Sequence, residues 1–259
     1  MMMTSILQQY PAFLLIFMRI VSFMLTLPLF SYRTIPNRVK IGISFYLALL
    51  ITVTIEVPAI ELNSLYILLI LKEVTLGLFI GLTAYIVISG VQIAGSFIDF
   101  QMGFAIASVI DPQTGVQSPV IGQLFYIFAL FFLLSTNAHH LLIEGALNSF
   151  EFIPIEKQHL FLFEGQVVES LIIAFNKMFI IAFQMAIPIV GSLFLVDVAL
   201  GILTRTVPQL NVFVVGFPLK IAVSFVMILL LFSALFVVMR DLIQYMIDFT
   251  NLMLRLLGE

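Results

Sequence analysis

Apolar residues run along this chain in long blocks with short polar interruptions, and the blocks have the length of membrane helices. Residues 11–30 form the first, with Arg19 in its middle, and residues 41–57 the second. The third, residues 65–91, carries Lys72 and Glu73, then Gly77 and Gly81 four apart. Small residues at that spacing let another helix approach closely, and Glu73, one turn earlier, faces the same neighbour. Residues 120–143 and 167–203 follow, the latter interrupted by Pro188 and Gly191, and then residues 212–238 with Gly216, Pro218 and Lys220. Between Glu144 and Glu169 the chain is acidic, contains Pro154, and reads as a solvent-exposed excursion.

Two stretches depart from this pattern. In residues 91–119, Gln92, Ser96, Asp99 and Gly103 recur at spacings of four, three and four, one stripe of a helix. Apolar Phe104 to Ile110 then leads into Asp111-Pro112-Gln113-Thr114-Gly115, where Pro112 and Gly115 predict a turn, and Pro119 closes the segment. Irregular backbone at membrane depth survives where it is buried in protein or lines a water-filled cavity, so this stretch is a candidate pore element. The tail, residues 239–259, inverts the usual amphipathic pattern. Asp241, Gln244, Asp248, Asn251 and Arg255 make one narrow polar stripe on an otherwise apolar helix.

Composition narrows the class. Of 259 residues, 62% are hydrophobic and 10% charged, and the mean hydropathy is +1.21, which excludes a soluble domain. The fold class is all-α: a multi-helix, integral-membrane-type protein with broken or re-entrant helices. We read 1–259 as one domain, with helical hairpins over 11–91, a central re-entrant region over 92–119, helices over 120–238 and the amphipathic helix over 239–259. No positive residue precedes the first apolar run, so the N-terminus reads as a membrane segment, not a cleavable signal. Arg33, Arg38 and Lys40 place the first loop in the cytoplasm, and the acidic loop from Glu56 to Asn63 suits the outside. Arg240 and Arg255 favour a cytoplasmic C-terminus, which the crossings above do not deliver.

Charge and cysteine usage exclude several functions. The net charge is −3 and the eleven basic residues are scattered, which makes no nucleic-acid patch. Without cysteine there is no thiol chemistry, disulfide or Cys-ligated metal. No nucleophile elbow, phosphate loop or zincin motif is present, so neither enzyme nor cofactor is expected. His139 and His140 are adjacent, and side chains about 100° apart on a helix do not share one metal. Arg19, Lys72, Glu73, Asp99, Lys177, Asp197 and Lys220 lie within or beside apolar runs, where ionisable groups face a bundle interior, a partner or water. They suit pairing in an obligate assembly, or the pathway of a secondary transporter; Pro188, Pro208 and Pro218 would supply the discontinuous helices of a transporter or equally bend helices to fit a curved oligomer.

Taken in order, these pieces resemble the FliR family of flagellar export-gate proteins, related to subunits of injection-type type III secretion systems. The resemblance is carried by Arg19, Pro28 and Pro36; by Glu73, Gly77 and Gly81; and by Gly95, Asp99, Gln101, Gly103, Asp111-Pro112 and Gly115. Asn137 with His139-His140, Ser149-Phe150 and Pro154 continue it, and Arg205-x-x-Pro208-Gln209-x-Asn211-Val212-Phe213 with Gly216, Pro218 and Lys220 is its strongest part. Ala138 departs from it, since the family often has glycine there. The resemblance implies a non-enzymatic subunit of the gate, at the flagellar basal body in the bacterial inner membrane. Its implied partners are FliP- and FliQ-type subunits, FlhB- and FlhA-type proteins, and unfolded exported proteins in transit. It also implies a helical assembly around a conduit, plugged by a loop when idle. Gly103, Phe104, Ile106, Val109, Ile110, Asp111, Pro112, Gly115 and Val116 are the expected plug. Arg19, Glu73, Gly77, Gly81, Asp99, Asp197, Arg205 and Lys220 are the expected helix-packing and subunit-contact residues.

Overall fold

The computed structural model describes residues 2–32, 35–55, 60, 62–104, 119–157, 165–209 and 211–258, and every secondary-structure element among them is a helix. In chain order these are α1 (Met2–Thr26), α2 (Asn37–Thr54), α3 (Ser64–Met102), α4 (Val120–Ser135), α5 (Ala138–Phe152), α6 (Gly165–Thr206), α7 (Val212–Leu230) and α8 (Phe232–Gly258). Arg33 of the basic loop and Glu56 and Glu61 of the acidic one lie outside the described residues. Among the described residues four helices are long and apolar enough to cross a membrane, α2, α3, α6 and α7; the broken pair α4–α5 together would make a fifth. The apolar part of α1, Tyr10–Thr26, is shorter than such a span.

The boundaries have local causes. Pro36, extended at ψ 139°, starts α2, and Asn211 caps α7 by accepting from the amides of Phe213 (3.1 Å) and Val214 (3.4 Å). Asn137, left-handed at φ 57°, separates α4 from α5. Gly103 ends α3 at φ 91°, where a side chain would be strained.

Several boundaries differ from the hydropathy reading. Residues 65–91 and the polar stripe after them are one helix of 39 residues, because nothing between Val91 and Met102 breaks it. The block 120–143 is interrupted at Asn137, and 144–152 is helix, with Ile153 and Ile155 buried beyond it. Pro188 and Pro218 sit inside continuous helices. A proline removes one backbone bond, and at exposed Pro188 water or lipid-side relaxation accommodates the loss without ending α6. The tail helix begins at Phe232, not at residue 239.

The chain forms two compact units. The first comprises Met1–Val87, Leu133–Ala174 and Gln244–Glu259. Its centre is α1, whose Leu15, Ile16, Ile20, Phe23 and Met24 are fully buried. Phe13 meets Phe45 of α2 edge to face at 5.3 Å, and α2 buries only a four-residue stripe, Lys40, Ser44, Ala48 and Ile51. Gly145 of α5 admits Asn251 and Leu254 of α8.

The second unit comprises Ile88–Phe132 and Phe175–Ile243. Phe97 stacks on Phe183 of α6 at 4.9 Å, and Phe128 meets Phe232 at 5.7 Å. A Cβ at Gly90 would lie 3.0 Å from Met178, so α3 and α6 touch closely there. Large apolar side chains on α6 and α7 stay exposed, among them Phe194, Leu195, Phe213 and Leu229. Such all-round apolarity suits lipid or a neighbouring subunit.

Candidate functional site

Within the first unit, Arg19 of α1 and Lys72 and Glu73 of α3 form a buried ionic centre. The Arg19 guanidinium bridges the Glu73 carboxylate through Nε to Oε2 and through Nη2 to Oε1 at 3.0 Å. Lys72 Nζ reaches Glu73 Oε1 at 2.8 Å. Two cations on one anion leave a surplus positive charge, and backbone carbonyls meet it. Arg19 donates to Ser149 O (3.0 Å), Ser149 Oγ (3.1 Å) and Ile153 O (2.9 Å), with its guanidinium carbon 4.0 Å from the centre of the Phe150 ring. Lys72 donates to the carbonyls of Pro154, Ile155 and Lys157 at 2.8–3.0 Å. These acceptors end α5 and form the turn after it, where the helix dipole favours cations. Every donor is held by a fixed acceptor, so the centre is a staple joining α1, α3 and the 149–157 turn.

Gly77 and Gly81 complete that contact. A Cβ on Gly77 would collide with the Arg19 carbonyl and Ser22 Oγ, and one on Gly81 with Thr26 Oγ1 and the Phe23 carbonyl. The neighbour they admit is α1 of the same chain, and the partner of Glu73 is likewise internal.

In the second unit, Asp99 near the end of α3 caps α4. Its Oδ2 accepts from the amides of Ile121 (3.0 Å) and Gly122 (3.1 Å), and Oδ1 also accepts from Ile121 (3.1 Å). These are first-turn N–H groups of α4, which have no intrahelical partner, and a carboxylate there also meets the positive end of the helix dipole. Gly95, one turn earlier, lies against the backbone of Gly122. The two helices flanking residues 103–119 are thus clasped where that segment leaves and returns.

A second contact lies at the same end of α3. Asp197 of α6 pairs with Lys220 of α7 at 2.5 Å and accepts from Gln101 Nε2 at 2.9 Å. Lys220 Nζ also reaches the Gln101 carbonyl at 3.3 Å. Phe217 packs on Gly103 so tightly that any Cβ there would overlap its ring. These groups floor a cleft of about 480 Å³ whose walls include Phe100, Leu200 and Phe213.

Of the expected plug, Gly103 and Phe104 are described, and the amide of Phe104 donates to Asp99 O at 3.1 Å. Ile106, Val109, Ile110, Asp111, Pro112, Gly115 and Val116 lie outside the described residues. Arg205 is exposed in the last turn of α6, and Lys177 is exposed on the same helix. His139 and His140 stack with ring centres 4.1 Å apart, and His139 Nδ1 is buried without a hydrogen-bond partner among the described residues. Among the described residues no group of three or more His, Asp or Glu is arranged to hold a metal. Phe217, Gly122 and the acceptor carbonyls of 153–157 carry no signal in the sequence that would mark them.

Comparison with known proteins places these contacts in a family. Residues 10–246 match the family described as Bacterial export proteins, family 1. The chain is 53% identical over 257 residues to the Bacillus subtilis flagellar biosynthetic protein FliR, covering 99% of both chains. It is 30% identical to the Escherichia coli protein of the same name, over 80% of this chain and 78% of that one. A Yersinia pestis relative, Yop proteins translocation protein T, is 30% identical over 64% of each chain. With the match spanning the ionic centre, the Asp99 clasp and the Asp197–Lys220 pair alike, the chain belongs to the FliR family of flagellar export proteins.

Proposed function

We propose that this chain is a non-enzymatic, wall-forming subunit of the flagellar type III export gate. It sits at the basal body in the bacterial inner membrane and shares with FliP- and FliQ-type subunits a conduit for unfolded proteins. FlhB- and FlhA-type proteins meet that assembly, and residues 103–119 plug the conduit when it is idle. The observation that carries this reading is the clasp of Asp99 and Gly95 on Ile121 and Gly122. It anchors both ends of an apolar loop side by side on two packed helices, as a plug requires. A short apolar loop excludes water without binding any exported sequence specifically.

Three further features support a gate subunit. Helices of 39 and 42 residues are roughly 60 Å long at ~1.5 Å per residue, about twice the hydrocarbon core of a bilayer. Lipid alone therefore does not account for their exposed apolar faces, and neighbouring subunits would cover the remainder. The Yersinia pestis relative, named for translocation of Yop proteins, supports export of proteins over transport of a small solute. The intrahelical charges support the same choice, because Arg19, Lys72 and Glu73 are engaged in fixed structural contacts.

Deletion of residues 107–117 tests the plug. The assembled gate should remain intact on co-purification and make the membrane leak ions or small solutes. Loss of assembly without any leak would mean that the loop is a packing element.

A further inference from the structure

Three cations are buried among the described residues: Arg19, Lys72 and Lys40. Arg19 and Lys72 meet Glu73 and a set of backbone acceptors. Lys40 does not. It keeps 6% of its surface, at the head of the one buried stripe of α2, and its ammonium has no hydrogen-bond or ion-pair partner among the described residues. Among those residues His139 Nδ1 is the one fully enclosed side-chain polar atom without a partner, so the Lys40 ammonium opens outward. A buried stem with an open, unpaired charge calls for an anion or water at that point.

The same helix end selects an anion with an apolar body. Lys40 is the fourth residue of α2, and helical side chains lean towards the N-terminus, so its charge is brought back to the first turn. The amides of that turn have no intrahelical acceptors, and the cap residue Pro36 has no side-chain oxygen to meet them. Arg38 is exposed, leans the same way and heads another stripe: Arg38, Gly42, Leu49 and Val53 follow at spacings of four, seven and four. That face is open, with nothing among the described residues within 4 Å of a Cβ on Gly42, and with Leu49 and Val53 exposed. Its 18 residues make α2 about 27 Å long at ~1.5 Å per residue, close to the ~30 Å of a hydrocarbon core. Charges at its end therefore stand at headgroup level and the open stripe at acyl-chain level. The basic loop falls on the cytoplasmic side, whose leaflet carries anionic lipids.

We infer that the N-terminal end of α2 is a binding site for one anionic phospholipid. Lys40, Arg38 and the first-turn amides take the phosphate, and the acyl chains lie along Gly42, Leu49 and Val53. A carboxylate of a companion subunit would also satisfy Lys40, but it would leave the open, membrane-length stripe below Arg38 unused, whereas a phospholipid fills both. The site uses no conduit and no plug, so it stands or falls apart from the export-gate reading. Its effect is to fix the end of α2 at the membrane surface.

The test uses the full chain in mild detergent, offered phosphatidylglycerol or phosphatidylcholine and weighed intact by native mass spectrometry. Lys40→Met keeps the stem and removes the ammonium. It should lower retention of phosphatidylglycerol about tenfold, the scale of one lost charge-assisted contact, and leave phosphatidylcholine as it was. Lys40→Arg should stay near the wild type. Arg240→Gln removes an exposed base elsewhere and should change nothing. Equal retention of phosphatidylglycerol by the wild type and Lys40→Met overturns the inference. An equal loss in Arg240→Gln overturns it too, because general charge attraction would then be the whole effect. Inorganic phosphate in excess should leave most of the lipid bound, since the acyl contacts remain; complete displacement would mark a site for free phosphate and remove the lipid. Unchanged lipid retention in Lys40→Met, together with failure to co-purify with companion subunits, would assign Lys40 to a protein partner. Should Lys40→Met not accumulate, Arg38→Gln, at an exposed position, takes the same measurement, and unchanged retention there overturns the inference in the same way.

Discussion

Asp99 reaches from the end of α3 to the amide of Ile121 at 3.0 Å, so that one helix caps another across the segment that joins them. The cap belongs to tertiary structure, since 22 residues separate donor from acceptor. Replacing Asp99 with alanine should cost about 1–2 kcal/mol, the range for loss of a good N-cap. Asparagine keeps one acceptor oxygen and should cost less. Amide exchange at Ile121 and Gly122 reads the difference, and equal protection in both variants and the wild type would remove the cap from the account.

The ionic centre makes a prediction about charge reversal. Arg19→Ala leaves Glu73 buried with Lys72 alone and removes the Arg19 bonds to the carbonyls of Ser149 and Ile153, so a loss of about 3–5 kcal/mol is expected. In a simple pair, exchanging the charges restores stability. Here Arg19→Glu with Glu73→Arg should not, because the new carboxylate would face those two carbonyls and the new guanidinium would face Lys72. Thermal stability in detergent of the single and double variants decides it: recovery in the double variant would show that the backbone acceptors are incidental.

The sequence shows that Arg19, Lys72 and Glu73 need partners, because ionised groups inside apolar runs are costly. It does not show which, since most of the acceptors are backbone carbonyls in the 149–157 turn and carbonyls have no residue signature. The same limit hides the Asp99 cap: the stripe through Gln92, Ser96 and Asp99 is legible as helix, but its target on α4 depends on a fold 22 residues away. Pro188 misleads for a different reason. Its effect depends on which face of the helix it occupies, and on the exposed face α6 continues. The long apolar blocks are legible because period and length are local properties. Asn137, which splits one of them, needs only a single left-handed residue to do so.

Glycines in this chain fall into two kinds that mutation should separate. Gly77→Ala puts a methyl into the Arg19 carbonyl, and a shift of backbone on either helix should cost about 1–3 kcal/mol. Gly191 and Gly201 on α6 have nothing among the described residues within 4 Å of an added Cβ. Alanine there should be neutral or stabilise the chain by up to about 1 kcal/mol through helix propensity. The prediction concerns the chain by itself, because the neighbour of Gly77 is internal. Melting of the three variants, purified without companions, should show Gly77→Ala alone lowered; a loss at Gly191→Ala appearing only in the assembled gate would place a partner against α6.

The tail separates folding from assembly most cleanly. On α8 the polar stripe Asp241, Gln244, Asp248, Asn251 and Arg255 is exposed, while Met246 is fully buried within the chain and Leu252 remains 46% exposed. Both positions look alike in the sequence, as apolar residues off the polar stripe, yet they face different things. Met246→Lys places an ammonium in the first unit's interior with no partner and should prevent the chain from accumulating. Leu252→Lys places the charge on an open surface, where the long stem lies along the helix and the head stays wet. That variant should fold and melt close to the wild type. If companion subunits cover the Leu252 face, as the proposed gate requires of some apolar surface, the same variant should fail to co-purify with them. Normal folding together with normal co-purification would leave the Leu252 face uncovered in the assembly, and the partner contact would then have to lie on another of the exposed apolar faces, such as those of α2, α3, α6 or α7.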